Sequence, residues 1–187
     1  MSSHFKNTGF SLVELIVSIG IASIILTAII SNQSSYSDSI ALSNLADDIS
    51  LSLSQAQTYG AAVREAGSGS ANFSAAYGLS FTLSSNKAYV YFTDLDGDKI
   101  YDAEENLSQI NISRDNYIAD ICAVKSSSPE DCGIERVDIT FIRPKTEPQL
   151  VFSNPIENVI GAKITLKSPA GRVKSVIVYT SGQITVQ

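Results

Sequence analysis

Three groups of residues carry side chains able to do chemistry. The densest is residues 94–105, DLDGDKIYDAEE, where six acids and one lysine leave a charge of −5. Asp94, Asp96, Asp98, Asp102 and Glu105 fall at positions 1, 3, 5, 9 and 12 of this run, with the Ile100 carbonyl at position 7. Calcium takes roughly six to eight oxygen ligands, and a loop with this spacing can wrap it. The same acids suit a solvated hairpin, because Asp and Gly are favoured turn residues. Both readings stand at this level. Lys99 occupies the place where such a loop usually turns on a glycine, and Gly97 lies two residues too early. An ion here would hold the loop rather than catalyse, since no histidine or other activating group accompanies the acids.

The second group is Cys122 and Cys132, which enclose the nine residues AVKSSSPED. An exported domain would meet an oxidising compartment, where this spacing suits one disulfide; two free thiols are the alternative. Zinc is a poor fit, because two cysteines without histidine leave its coordination incomplete. The third group is Gly9-Phe10-Ser11-Leu12-Val13-Glu14 at the start of an apolar run whose only charge is Glu14. A carboxylate inside an apolar span costs ~2.5–3.5 kcal/mol on insertion scales, so it calls for a partner. A cut between Gly9 and Phe10 would create one, since the new amino group would lie four residues before Glu14 on the same helix face.

Composition removes most alternatives. The 187 residues are 44% hydrophobic and 17% charged, which fits a folded domain with an appendage and excludes disorder. His4 is the single histidine and precedes Gly9, so Ser-His-Asp and Cys-His nucleophile systems and histidine metal sites are excluded from the processed chain. A membrane-anchored hydrolase is a remote reading, because its acids crowd one loop instead of forming two carboxylates with separated acidities. The chain reads as a non-enzyme. Net charge is −6, which opposes nucleic-acid binding by bulk charge. From Val159 onward Lys163, Lys167, Arg172 and Lys174 have no acidic neighbour in sequence. Three readings fit them: ordinary exposed charge, contact with an acidic face of a neighbouring subunit, or nucleic acid. The last is weakened by the lack of an aromatic stacking platform.

The elements that position these groups follow from periodicity. Residues 10–30, FSLVELIVSIGIASIILTAII, are long enough as a helix to cross a ~30 Å hydrocarbon core. Lys6 ahead of the run favours a cytoplasmic leader. A cleaved signal peptide, a plain anchor and a cleaved-after-Gly9 precursor all share this outline; the small-residue cleavage pattern of a signal peptide is poor. No proline or glycine interrupts residues 31–59, and Ile40, Leu42, Leu45, Ile49, Leu51 and Leu53 recur at helical spacing, so the helix continues to a stop near Gly60. Asp38, Asp47 and Asp48 on this half read as a solvated face or as contacts with basic neighbours.

Residues 64–75 read as a loop. Beyond them, period-two stretches predict strands near 77–83, 88–93, 107–112, 118–124, 137–142, 150–152, 162–167, 173–179 and 183–186. Pro169-Ala170-Gly171 and Ser181-Gly182 predict antiparallel hairpins. The fold class is therefore α+β: one long N-terminal helix packed on an antiparallel sheet. Its segments are a leader at 1–9, a membrane-spanning half-helix at 10–30, an amphipathic half-helix at 31–60 and a β-rich head at 61–187.

Residues 9–14 and the apolar run after them resemble the processing and methylation motif of type IV pilins and pseudopilins. The resemblance implies cleavage after Gly9 by a prepilin peptidase, N-methylation of Phe10, and pairing of Glu14 with the N-terminus of an adjacent subunit. It implies a single-pass precursor in the cytoplasmic membrane, with its head outside the cytoplasm, that later joins a pilus or pseudopilus with other pilin subunits. Many relatives have a proline near the position of Ser31, and this chain has none. The stretches YVYFTDLDGDKIYDAEENL and ITLKSPAGRVKSVIVYTSGQITVQ resemble the GspH/FimT-like branch of minor pilins, which implies a role in filament initiation or at the tip. An abundant shaft subunit, and a tethered calcium-dependent surface adhesin that never polymerises, are the other readings.

Overall fold

The computed structural model describes residues 9–62, 75–127 and 129–187. Most of the leader and nearly all of the expected 64–75 loop lie outside the described residues. The chain divides into two compact units, one ending at Ser37 and the other comprising Asp38–Gln187. Helix α1, Leu12–Ala61, contributes to both.

In the first unit the span Leu12–Ile30 has a mean hydropathy of 2.5 and none of it is buried. Its polar residues do not spoil the apolar surface. Ser18, Ser23 and Thr27 each donate a hydroxyl hydrogen bond to the carbonyl four residues back, on Glu14, Ile19 and Ser23. Each hydroxyl is thus satisfied within the helix and needs no external partner.

The second unit holds the rest of α1 and ten strands. These are β1 (Ala76–Thr82), β2 (Ala88–Asp94), β3 (Asn106–Asn111), β4 (Tyr117–Lys125), β5 (Asp131–Cys132), β6 (Arg136–Phe141), β7 (Pro148–Phe152), β8 (Val159–Lys167), β9 (Val173–Tyr179) and β10 (Ile184–Val186). They form two five-stranded antiparallel sheets, in the orders β3-β2-β1-β6-β7 and β10-β9-β8-β4-β5. The alternation of side chains along each strand places Leu79, Phe81, Val137, Ile139 and Phe141 of the first sheet in one core. Ile121, Ile164, Leu166, Val176 and Val178 of the second sheet join them there. Leu42, Leu45, Ala46, Ile49, Leu53 and Ala56 of α1, three or four residues apart, enter the same core. At ~1.5–3 kcal/mol for each large side chain, the helix contributes on the order of 6–12 kcal/mol of burial. Gln57 ties the helix to both sheets, donating to the carbonyls of Thr146 (2.9 Å) and Gly182 (3.1 Å).

The helix, the antiparallel pairing and the two hairpins stand as expected; Gly171 and Gly182 take positive φ values of 81° and 87° at the hairpin turns. Two features differ. First, there are two sheets, not one. After β3 the chain passes through Arg114 and Asp115, both left-handed at φ 57° and 54°, and β4 then pairs with β8. Period-two patterning assigns a strand its faces but not its partners. Second, Ile40 and Leu51 do not join the core: they are 59% and 68% exposed. Eleven residues are close to three helical turns, so these two share a stripe, and that stripe faces away from the buried one. The helix ends at Ala61, beside the expected stop near Gly60. Gly60 lies within the last turn, where a Cβ would overlap the Phe141 carbonyl oxygen and come 2.7 Å from the Phe141 Cβ. The glycine is there for close approach of helix and strand.

Cys122 and Cys132 are disulfide-bonded and directly opposite each other in the β4–β5 pair. β5 has only two residues, too short for a periodic signal. Replacing both cysteines with alanine is expected to lower stability by ~2–3 kcal/mol through the longer free loop of the unfolded chain. Urea titration of the full chain with and without reductant measures it, and equal midpoints would show that the bridge adds nothing.

Candidate functional site

The N-terminal segment presents its chemistry in the open. Gly9 and Phe10 precede the helix in non-helical, exposed backbone. The first helical hydrogen bond runs from the Leu15 amide to the Ser11 carbonyl at 3.1 Å. The peptide bond between Gly9 and Phe10 is therefore free of helical hydrogen bonding, and nothing lies within 4 Å of where a Gly9 Cβ would sit. Glu14 occupies the first turn of α1, where unsatisfied amides favour a carboxylate.

The acidic loop grows from the end of β2. Asp94 is 2% exposed, and its two oxygens accept the amides of Gly97 (2.6 Å) and Lys99 (3.2 Å). Asp96 accepts the Asp98 amide at 3.1 Å, and Asp98 accepts the Ile100 amide at 2.7 Å. Glu105, in the short 3-10 turn Ala103–Glu105, accepts the amides of Leu95 (2.7 Å) and Asp102 (3.2 Å). These four acids thus shape the backbone. The five acids gather as two overlapping groups, Asp94/Asp96/Glu105 and Asp96/Asp98/Asp102, each with ligand oxygens within 4.8 Å of one another. Burial pushes the Asp94 carboxyl above its ordinary value; the Gly97 and Lys99 amides pull it back, and the charges of Asp96 and Asp98 raise it further.

Lys99 takes φ 69° and Gly97 takes φ 86°. Lysine therefore makes the left-handed turn that glycine makes without cost. Lys99→Gly is expected to stabilise the chain by ~1 kcal/mol through relief of that conformation. Equal urea midpoints for the variant and the parent would mean that no strain is stored there.

A latch not foreseen from the sequence holds this loop to the sheet. The Arg136 guanidinium on β6 donates to the Tyr101 carbonyl at 2.8 Å and pairs with Asp138 two residues on, at 2.6 Å. It also lies 6.0 Å from the centre of the Tyr101 ring, which packs on Phe92 at 5.5 Å. Asp138 is 2% exposed. Burial pushes its carboxyl above the ordinary value, outweighing the opposing pull of Arg136, Ser80 and the Tyr101 backbone. The signal was an Arg and an Asp at alternate positions of the strand RVDITF, whose intervening residues are apolar, which puts both on one face.

The basic end is less free than its sequence implies. Lys163 pairs with Glu130 at 2.8 Å, across from the neighbouring Lys125–Asp131 pair at 3.0 Å. Lys167, Arg172 and Lys174 have no ion pair among the described residues.

Residues 4–30 match the family described as the prokaryotic N-terminal methylation motif. No curated protein and no solved structure matches the chain. The motif implies processing by a prepilin peptidase and assembly with other pilin subunits, and it points to a structural protein. With the exposed apolar helix it fits membrane anchoring of a precursor. The methylation motif at residues 4–30, followed by an apolar helix and antiparallel sheets, supports placing this chain in the type IV pilin and pseudopilin family.

Proposed function

We propose that this chain is a minor subunit of a type IV pilus or type II secretion pseudopilus, of the GspH/FimT-like kind, acting in filament initiation or at the tip. It is cleaved between Gly9 and Phe10, methylated on the Phe10 amine, and held in the cytoplasmic membrane with its head outside the cytoplasm until it assembles. Glu14 then pairs with the N-terminal amine of an adjacent subunit. The observation that carries this reading is the wholly exposed apolar span Leu12–Ile30 directly behind an accessible Gly9–Phe10 bond. Lipid covers such a surface before assembly, and neighbouring helices cover it afterwards. The outward Ile40 and Leu51 are further apolar surface for a neighbour.

N-terminal peptide mass spectrometry on protein from the native membrane tests it. The expected chain begins at a methylated Phe10. A chain still beginning at Met1 or Ser2, in a host with active prepilin peptidase, would replace the filament subunit with a tethered surface domain.

The acidic loop is proposed to hold a structural calcium ion through Asp94, Asp96, Asp98, Asp102, Glu105 and the Ile100 carbonyl. The left-handed Lys99 supports this, because it supplies the turn that the glycine-bearing loops need. Calcium added to the chelator-treated full chain is expected to raise its unfolding temperature, as any ligand of the native state alone does. An unchanged transition at millimolar calcium would make the loop a solvated turn.

A further inference from the structure

The first sheet has two faces, and one is outside the core. Leu79 and Phe81 of β1 point into the core, so Ser80 and Thr82 point to the opposite side. On that side lies a cleft of about 450 Å³, floored by Ser80, Thr82 and Val90. Gln109 of β3, Tyr101 of the acidic loop, Glu135 before β6 and Ser153 after β7 form its walls. Its size falls in the ~300–1,000 Å³ range of small-molecule sites. The floor belongs to paired strands, and Arg136 fixes the Tyr101 wall through the Tyr101 carbonyl. The cleft is thus formed before any ligand arrives.

Its chemistry selects a ligand class. Arg136 is the cation in the lining, and it is already paired with Asp138. Glu135 would repel a phosphate or carboxylate, so anions are poor occupants. A single carboxylate is too few for a divalent cation. Ala88, Tyr89, Val90 and Tyr101 give the lining substantial apolar surface, but a wholly apolar ligand would strip water from the interspersed hydroxyls without replacing its hydrogen bonds. What remains is a neutral molecule with many groups that both donate and accept, and with an apolar face for Ala88, Tyr89, Val90 and Tyr101. Hydroxyl and amide groups from Thr82, Ser84, Gln109 and Ser153 complement such a rim.

We infer that this cleft is a binding site for a neutral saccharide of one or two pyranose rings, a site separate from the N-terminal assembly segment.

The test uses the full chain in phospholipid nanodiscs, which avoids sugar detergents. Cellobiose, maltose, lactose and N,N′-diacetylchitobiose are titrated in turn while backbone amide shifts are recorded. At least one sugar is expected to saturate with a millimolar Kd and to shift the amides of Thr82, Gln109 and Ser153. Gln109→Ala is expected to weaken that sugar about fivefold, as loss of one neutral hydrogen bond does, without changing the unfolding temperature. Lys174→Ala, outside the cleft, should leave the affinity unchanged. The inference is overturned if none of the four sugars moves the cleft amides, if Gln109→Ala binds as the parent does, or if a trialanine peptide shifts the same amides more tightly than any sugar.

Discussion

Glu14→Gln should leave the chain cleaved and methylated but reduce its incorporation into filaments at least tenfold. The variant removes one charge and keeps the shape. Membrane insertion becomes easier, because the carboxylate costs ~2.5–3.5 kcal/mol in an apolar span and the amide costs less. Gly9 and Phe10 lie in exposed backbone ahead of the helix, so access to the scissile bond does not depend on Glu14. What is lost is the charged contact proposed with a neighbour's amine. A hydrogen bond to a charged group contributes ~1.5–3 kcal/mol, and 1.4 kcal/mol is tenfold in an equilibrium. Quantitative mass spectrometry of sheared filaments against the membrane pool gives the ratio. A variant that enters filaments at the parental level would show that Glu14 does not pair during assembly.

Arg136→Met should cost roughly 3 kcal/mol at pH 7, the low end for breaking a buried pair, because the Arg136 side chain keeps 32% of its exposure. The loss should shrink as the pH falls through the raised folded-state value of Asp138 toward the ordinary carboxylate range. Methionine fills similar volume but leaves Asp138 buried without a counter-charge. Asp138 already lies above its ordinary value through burial, and losing Arg136 raises it further. A carboxyl raised in the folded state contributes stability that is fully present below its unfolded value and is lost as pH rises through its folded value. The variant therefore carries a bare buried carboxylate at neutral pH and a neutral acid at low pH. Urea unfolding of parent and variant at pH 7 and pH 3.5 separates the cases. An equal deficit at both pH values would assign the loss to packing against Tyr101 instead of charge.

Short-range chemistry was legible in the linear chain. The Gly9–Glu14 motif, the apolar span behind it and the acid spacing from Asp94 to Glu105 depend on residues close in sequence, and so does each strand's alternation. Nine predicted strands correspond to nine of the ten observed, because a half-buried strand writes its face into every second residue. The two glycine turns of the C-terminal hairpins were legible for the same local reason.

Pairing and facing across long separations were not. The 3.6-residue period marks an apolar helix but did not tell Leu53, in the core, from Leu51, in the open; the placement of both sheets decided that. The role of Gly60 depends on Phe141, eighty-one residues away, and the latch of Arg136 on Tyr101 on a contact thirty-five residues apart. The residues of the chain thus marked out a prepilin-type motif, an apolar helix long enough to span a membrane and a β-rich head. Only the tertiary structure decided that the head has two sheets, that a buried Arg136–Asp138 pair holds the acidic loop, and that a hydroxyl-lined cleft opens beside it. Such contacts are paid for by loop closure and desolvation, which no local pattern records.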